Sequence, residues 1–567
     1  MAIGLSFAAA PALAQSPSAA VVPQGGNPVP QLAPAAPPAV GPGLRGPGSA
    51  TPGATPAGNV AVRGLAFEGA TAFPESRLSA AAGQVTGPSV PVSAMENARA
   101  AIVTLYREAG YPFVTADASL GADGVLRFRI AEGYIAEVSL DGDIGPAGTQ
   151  VLRFLNRLRD IRPLNVETLE RQLLLAQDVP GVSLRSVLRP SGTAPGALSL
   201  VAQVQRRAVS GYVTADNRGS RFTGPFQALA AVQLNSFTEL GERTEFAFFY
   251  GNGATQLFGQ ASTEVFIGSS GLRVRLYAGR GRAHPSDALR ALGYEGETTI
   301  GGLAVTYPLI RSRSQTLNLV GNFDAIESEI EIDGANGRST RFSRDSLRIL
   351  RLGGDWAVYD LLAGDTRPGS NLFTLRLSQG LDILGAENTG DPDASRAGAE
   401  TDFTKIAFEI TRNQALFTPW TGALVSLQAT VAGQWTNDIL PQSEKFYLGG
   451  NRLGRGYYSG EVTGDRAFAT SLELQLSMSA IETTVFGRAL RFDPVVYAFY
   501  DYGRTWENLS SDPDRRLEST GLGLRLGINE RLEAQVEGVH RMSRRPSGGN
   551  ARPEKEDALF WRVLARF

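Results

Sequence analysis

The chain ends in "DALFWRVLARF", Asp557 to Phe567. If this segment is extended, Leu559, Trp561, Val563, Ala565 and Phe567 fall on one face, because strand side chains alternate between two faces. The same period of two recurs upstream. "TEFAFFYG" sets Phe246, Phe248 and Tyr250 against Glu245, Ala247 and Phe249. "LRVRLYAG" sets Leu272, Val274 and Leu276 against Arg273, Arg275 and Tyr277. "SLELQLSM" sets Leu472, Leu474, Leu476 and Met478 against Ser471, Glu473, Gln475 and Ser477. "GLGLRLGI" and "LEAQVEGV" follow the same rule. Beyond Ala208 no helical period appears, so residues 208–567 read as a long series of strands with one apolar face each.

Alternation does not say which face points outward. A soluble sandwich hides the apolar face, and a membrane barrel shows it to lipid. Three features favour the barrel. The chain opens on a segment that reads as an export signal. Residues 208–567 are very long for one sandwich. The final amphipathic strand, with Trp561 and the terminal Phe567, resembles the signal by which outer-membrane barrels are recognised for assembly. A strand pair with its turn and loop takes roughly 45 residues, so about 16 strands fit a transmembrane antiparallel β-barrel. Closure also removes sheet edges that lipid could not hydrogen-bond.

Composition narrows the function. The chain has 567 residues, 43% of them hydrophobic and 19% charged, with a net charge of -2. That balance gives no reason to expect nucleic acid as a partner. There are no cysteines, which excludes disulfides, thiolate nucleophiles and sulfur-ligated metal. The two histidines, His284 and His540, lack metal-ligand spacing. No Ser/His/Asp set or phosphate-binding loop is evident. "GLGLRLG" has glycines at a phosphate-loop spacing, but no helix follows, and glycines facing a crowded lumen explain it better. The expectation is therefore no enzyme, no cofactor, no metal and no use of ATP.

The N-terminal "MAIGLSFAAAPALA" is apolar and ends in a small-residue site, so residues 1–14 are expected to be a signal peptide. No later apolar run is long enough for a membrane helix. Residues 15–60 are a Pro/Ala/Gly-rich linker. Residues 15–58 hold 11 of the 32 prolines, with Arg45 as their only charge.

From Val62 the texture changes. "VRGLAFEG" reads as a strand and "VSAMENARAAIVTLYREAG" as a helix, with Ser93 and Glu96 as a capping box and Gly110 closing it. "PFVTADASL" and "GVLRFRIAEG" supply two more strands. The order then repeats through "YIAEVSLDG", a helical segment at Ala147–Leu158, a helix capped by Asn165, "GVSLRSVLRP" and "GALSLVAQVQ". Two α+β units, 61–133 and 134–207, are an internal repeat. Their order, length and the stretches "REAGYPFV" and "RPLNVETLERQLLLAQDVPGV" resemble POTRA domains, periplasmic modules that handle polypeptides. Strands Phe113–Leu120 and Leu184–Pro190 are the edges expected to accept an extended peptide.

Four stretches after residue 208 sharpen the reading: "DNRGSRFTGP" (Asp216–Pro225), "YPLIRSRSQTL" (Tyr307–Leu317), "GGNRLGRGY" (Gly449–Tyr457) and "FYDYG" (Phe499–Gly503). Pro308 places the second at a strand end. With the POTRA pair, they resemble two-partner-secretion transporters, the hemolysin secretion/activation family of ShlB, FhaC and HecB type, over roughly residues 60–567. The resemblance implies that a long loop folds back into the barrel with a V-R-G-Y motif at its tip. Gly454, Arg455, Gly456 and Tyr457 occupy that place, with Gly454 departing from the usual Val. It implies that an F-x-D-x-G inner-wall motif is Phe499, Asp501 and Gly503, and that Arg455 pairs with Asp501.

The expected function is that of an outer-membrane transporter. Its POTRA domains capture an unfolded exoprotein, a hemolysin or adhesin-like β-helical client, and pass it through the pore without ATP. Outer-membrane lipid and the barrel-assembly machinery are its other expected partners. The alternatives are an insertase of the same superfamily, which usually carries more POTRA units, and a passive porin, which has no use for them. The plug helix of many relatives finds no helical pattern in residues 15–58.

Overall fold

The computed structural model describes residues 58–192, 194–219, 224–285, 293–333, 339–485, 487–529, 531–546 and 553–567. The expected signal segment and linker residues 15–57 lie outside the described residues, as do positions 220–223 of the Asp216–Pro225 stretch.

Two small α+β units come first. In one, Gly64–Glu68 runs parallel to Val125–Glu132, which pairs antiparallel with Val114–Leu120. Helices Glu75–Ala82 and Val92–Glu108 cover this sheet, and Leu78, Ile102, Tyr106 and Phe128 are completely buried. The other repeats the plan: Tyr134–Asp141 and Val182–Pro190 flank Ala197–Arg206, under helices Ala147–Asn156 and Val166–Gln177. Val151, Phe154, Leu169 and Leu200 fill its core. Val114–Leu120 and Val182–Pro190 each pair on one side only.

Local chemistry explains one helix start and corrects another. Asn165 caps its helix, its Oδ1 accepting from the Glu167 N–H at 2.7 Å. The expected Ser93–Glu96 capping box does not form. A short strand, Gly87–Pro91, pairs with Asn59–Val62 and delivers the chain so that the helix starts at Val92. Ser93 is then already inside the first turn, and Glu96 turns to Arg99, 2.9 Å away.

Sixteen antiparallel strands, from Val209–Asp216 to Asp557–Arg566, close the barrel. One is interrupted: Arg466–Met478 continues as Ile481–Val485, and both pair with Arg488–Trp506. At the seam Arg562 to Arg566 pair with Asp216 to Tyr212. Gly211 and Phe567 then exchange N–H···O bonds of 3.0 Å each. The apolar face is the outer one. Phe246, Phe248 and Tyr250 are at least 41% exposed, whereas Ala247 and Phe249 are at most 7% exposed.

Several strands exceed the expected span. Gln315–Asp333 has 19 residues and Ser339–Asp360 has 22, so this wall rises past the hydrocarbon layer. Pro308 is not at a strand end but inside Glu295–Arg311. The register slips between Pro308 and Ile310, and this bulge absorbs the missing N–H.

The second α+β unit is fastened to the mouth through which the chain enters the barrel. Gln150 Nε2 donates to the Gly268 carbonyl at 2.9 Å, and Arg171 Nη2 to that of Pro308 at 2.8 Å. Arg311 forks onto Asp178 at 2.9 and 2.8 Å. Phe266 of the barrel enters the core of the unit, edge-on to Phe154 at 5.3 Å. Residues 381–403 and 436–465 leave the wall at the opposite mouth.

Candidate functional site

Residues 436–465 connect Ala423–Trp435 to Arg466–Met478. Their neck is a two-stranded pairing of Phe446–Leu448 with Val462–Gly464. Leu448, Leu453, Tyr457 and Val462 pack on Ala432, Ala469 and Leu517 of the inner wall. Burial of these apolar side chains draws the loop into the lumen instead of out into solvent.

The tip is shaped by glycine. Gly454 has φ +82°, and a Cβ there would stand 2.6 Å from Leu517 Cδ1. A β-branched residue is disfavoured at such a φ and would collide with the wall. The glycine that departs from the family pattern is therefore the residue this backbone calls for. Gly456 lies against the same wall strand two residues on, where a Cβ would approach Ser519 Cβ to 2.5 Å.

Between these glycines Arg455 enters a pocket of carboxylates. Its backbone N–H donates to Asp501 Oδ2 at 2.7 Å. Its Nε and Nη2 reach the two Asp501 oxygens at 3.0 and 2.9 Å. Nη1 is paired with Glu473, and Nη2 donates to Ser471 Oγ at 3.0 Å. The Ser471 hydroxyl in turn donates to Asp501 Oδ1 at 2.7 Å. The guanidinium also lies over the Phe499 ring, 3.9 Å from its centre. Burial works against the charge of Arg455, but the fields of Asp501 and Glu473 outweigh it, and its pKa is raised. A planar fork that meets one carboxylate with two nitrogens and a second with the third is held in orientation as well as in place.

Asp501 owes its position to strand alternation. Phe499, Asp501 and Gly503 face inward on Arg488–Trp506, while Tyr500 and Tyr502 face the other way. Gly503 leaves room for Leu448, since a Cβ there would sit 2.6 Å from Leu448 Cδ1. Gly521 and Gly523 of "GLGLRLG" likewise lie under the rings of Phe499 and Tyr497.

Tyr457 is anchored elsewhere. Its hydroxyl donates to the carbonyls of Glu518 and Ser543 at 2.6 and 2.8 Å. The structure thus brings Gly454, Arg455 and Gly456 together with Phe499, Asp501 and Gly503, and fixes Tyr457 nearer the rim. Trp561 and Phe567 lie apart from this site, on the outer face of the last strand.

Sequence reasoning missed several members. Arg218, buried and paired with Glu537, donates to the carbonyls of Gly450 and Arg455. Arg541 donates to the Gly456 carbonyl, and the Gly456 N–H donates to Ser519 Oγ at 3.2 Å. Arg218 stands in the quoted "DNRGSRFTGP", so the stretch was visible although its target was not. Glu473 was readable only as one of several inward carboxylates.

Comparison with known proteins places this architecture. The family model described as haemolysin secretion/activation protein ShlB/FhaC/HecB matches residues 197–526, and a ShlB-type POTRA domain matches residues 60–133. The chain belongs to the ShlB/FhaC/HecB family. It is 22% identical over 447 residues to the heme/hemopexin transporter protein HuxB of Haemophilus influenzae strain 86-028NP, covering 77% of this chain and 75% of that protein. Among solved structures, CdiB from Escherichia coli superposes with a TM-score of 0.70 at 16% identity, covering 94% of both chains. CdiB from Acinetobacter baumannii gives a TM-score of 0.61 at 15% identity over 90% of both. These likenesses are in fold. Membership in the family makes the chain an outer-membrane transporter of the two-partner-secretion class, with its POTRA units in the periplasm and a secreted exoprotein as partner.

Proposed function

We propose that the loop tip is the conformational element of the pore, held in the lumen by Arg455 and released or rearranged as the exoprotein passes. The observation that carries this reading is the double engagement of Arg455 by Asp501 and Glu473 inside the barrel. The docked loop occupies space a polypeptide would need, so it limits leakage at rest. The exoprotein, a hemolysin or adhesin-like β-helical chain, arrives unfolded at the one-sided strands Val114–Leu120 and Val182–Pro190, whose free edges support capture by strand addition. Barrel strands in lipid and a final strand ending in Trp561 and Phe567 support assembly by the barrel-insertion machinery. No ATP is available in the periplasm, so folding or retention of the client outside supplies direction.

The test is Arg455→Ala. Removing one partner of a buried pair costs about 3–5 kcal/mol and leaves two carboxylates uncompensated. Secretion of the partner should fall at least about tenfold (1.4 kcal/mol) while heat-modifiable barrel remains in the membrane. Normal secretion at equal barrel abundance overturns the role given to the loop.

A further inference from the structure

At the outer rim, Arg504 and Arg516 are direct cross-strand partners, and both side chains are exposed on the lipid-facing side of the wall. Like charges directly opposite on paired strands repel. Arg504 has one carboxylate near it, Asp514 at 3.6 Å, in a pair nearly half exposed on both sides. Arg516 makes no side-chain hydrogen bond or ion pair among the described residues. Beside them, Arg515 Nη1 is buried with no hydrogen-bond partner. Arg515 and Arg516 border a cleft of about 320 Å³, lined also by Met542 and Arg545, with Asp514 as its one carboxylate. With Asp514 engaged by Arg504, the charge of Arg516 has no carboxylate within ion-pair distance among the described residues.

Its surroundings say what kind of anion fits. Arg504 lies over the Trp506 ring at 5.0 Å, and Tyr502 precedes it on the same face. Tryptophan and tyrosine mark the level of lipid headgroups. Below the arginines the same face carries Glu518, which accepts from the Tyr500 hydroxyl at 2.6 Å, and Thr520, and then turns apolar at Leu522 and Leu524, both well exposed. Met542 is also exposed beside the cleft. An anion here thus sits at the aromatic level, and the hydrocarbon-facing stretch begins further down the same face at Leu522. Guanidinium forks match phosphate oxygens, and basic clefts on membrane proteins take anionic lipid headgroups.

We propose that Arg504 and Arg516 bind the phosphate of a lipid in the outer leaflet, with its chains along the Leu522 face. The cleft is tied to the pore loop, because Ser543 on its wall supplies the carbonyl that accepts from Tyr457.

The test uses the full-length protein in detergent and native mass spectrometry. Three probes are titrated: lipid A carrying its phosphates, the same lipid dephosphorylated, and inorganic phosphate. Wild type should retain phosphorylated lipid A, and R504Q/R516Q should bind it about tenfold or more weakly, with unchanged heat-modifiable migration. R491Q, at the other rim, should bind as wild type does. If the double variant misfolds, R516Q alone stands in, since it breaks no side-chain contact. Equal binding of lipid A by wild type and variant overturns the proposal. So does equal retention of the dephosphorylated lipid, which would place the affinity in apolar contacts. Competition by inorganic phosphate at the concentration of the lipid overturns the lipid assignment in favour of a soluble anion.

Discussion

Two buried arginines hold this transporter's outer half together, and they do so differently. Arg455 is a loop residue whose partners, Asp501, Glu473 and Ser471, all belong to the barrel wall. Arg396 is a loop residue whose partners lie in other loops or at strand ends. Its Nη1 pairs with Asp465 at 2.6 Å, and its Nη2 with Glu507 at 2.7 Å and Asp512 at 3.1 Å. It also donates to the Leu440 carbonyl at 3.2 Å. The wall offers Arg455 partners fixed by ladders of backbone hydrogen bonds. The mouth offers Arg396 partners that move when their loops move. One contact sets where the pore loop sits, and the other sets whether three outer segments stay gathered.

The largest effect should come from exchanging the charges at 455 and 501. A simple pair would tolerate R455D/D501R, but Glu473 and Glu537 also face position 455, Glu537 at 4.0 Å. The swap would set an aspartate against two carboxylates, so secretion should stay as low as in Arg455→Ala. Recovery above the single variants would show that Asp501 alone matters. A milder cut is Asp501→Asn, which leaves Glu473 in place and should retain more secretion than Arg455→Ala.

Arg218→Gln comes next. It strips the cap from two loop carbonyls and leaves buried Glu537 with only the more distant Arg455, at 4.0 Å, as a cation. Loss of about 3–5 kcal/mol of local stability is expected, read as earlier proteolysis of the 449–460 loop in a folded barrel. Protease resistance equal to wild type would make Arg218 a bystander.

Arg396→Gln should act on the mouth and spare the tip. In planar bilayers its open-channel events should become more frequent, while secretion changes less than about tenfold (1.4 kcal/mol). A secretion defect as deep as that of Arg455→Ala would erase the contrast between wall and loop contacts.

The smallest effect is a pH dependence in the loop that carries Arg396. Burial, together with Asp345 and Asp391, pushes Glu387 up to about 7, although Ser346 donates its N–H to the carboxylate at 3.1 Å. A carboxyl whose folded pKa is raised holds its proton more tightly when folded. Its contribution is therefore complete at low pH and is lost as pH rises from the ordinary carboxylate range through about 7. The group is partly exposed, so the change should stay below about 1 kcal/mol. Hydrogen exchange around residues 387–401, corrected for intrinsic rates, should quicken between pH 5 and 8 in wild type but not in Glu387→Gln.

Much of this was legible in sequence because it is periodic or local. The alternation of "TEFAFFYG" and "DALFWRVLARF" separates two faces of each strand without any knowledge of neighbours, although not which of them points outward. Asn165 announces its cap from its own position. Ser93 and Glu96 show the limit of local reading: a pairing with residues 59–62, far off in the chain, moved the helix start by two residues. The loop contacts of Glu473, Arg218 and Arg541 were unreadable for the same reason, since each reaches the loop from a different part of the chain.

What the sequence by itself determined is the class of protein: two α+β repeats, a long set of amphipathic strands, and an Arg-Gly-Tyr tip with an inward Asp501. The repeats and strands follow from periodicity, a property of contiguous residues, and the tip with its aspartate follows from the resemblance of short motifs to those of the family. Only the tertiary structure decided that Arg455 has two carboxylates instead of one, that Gly454 is required by a left-handed backbone against Leu517, and that Arg504 meets Arg516 at the rim. Each depends on strand register around a closed barrel, where residues distant in sequence become neighbours.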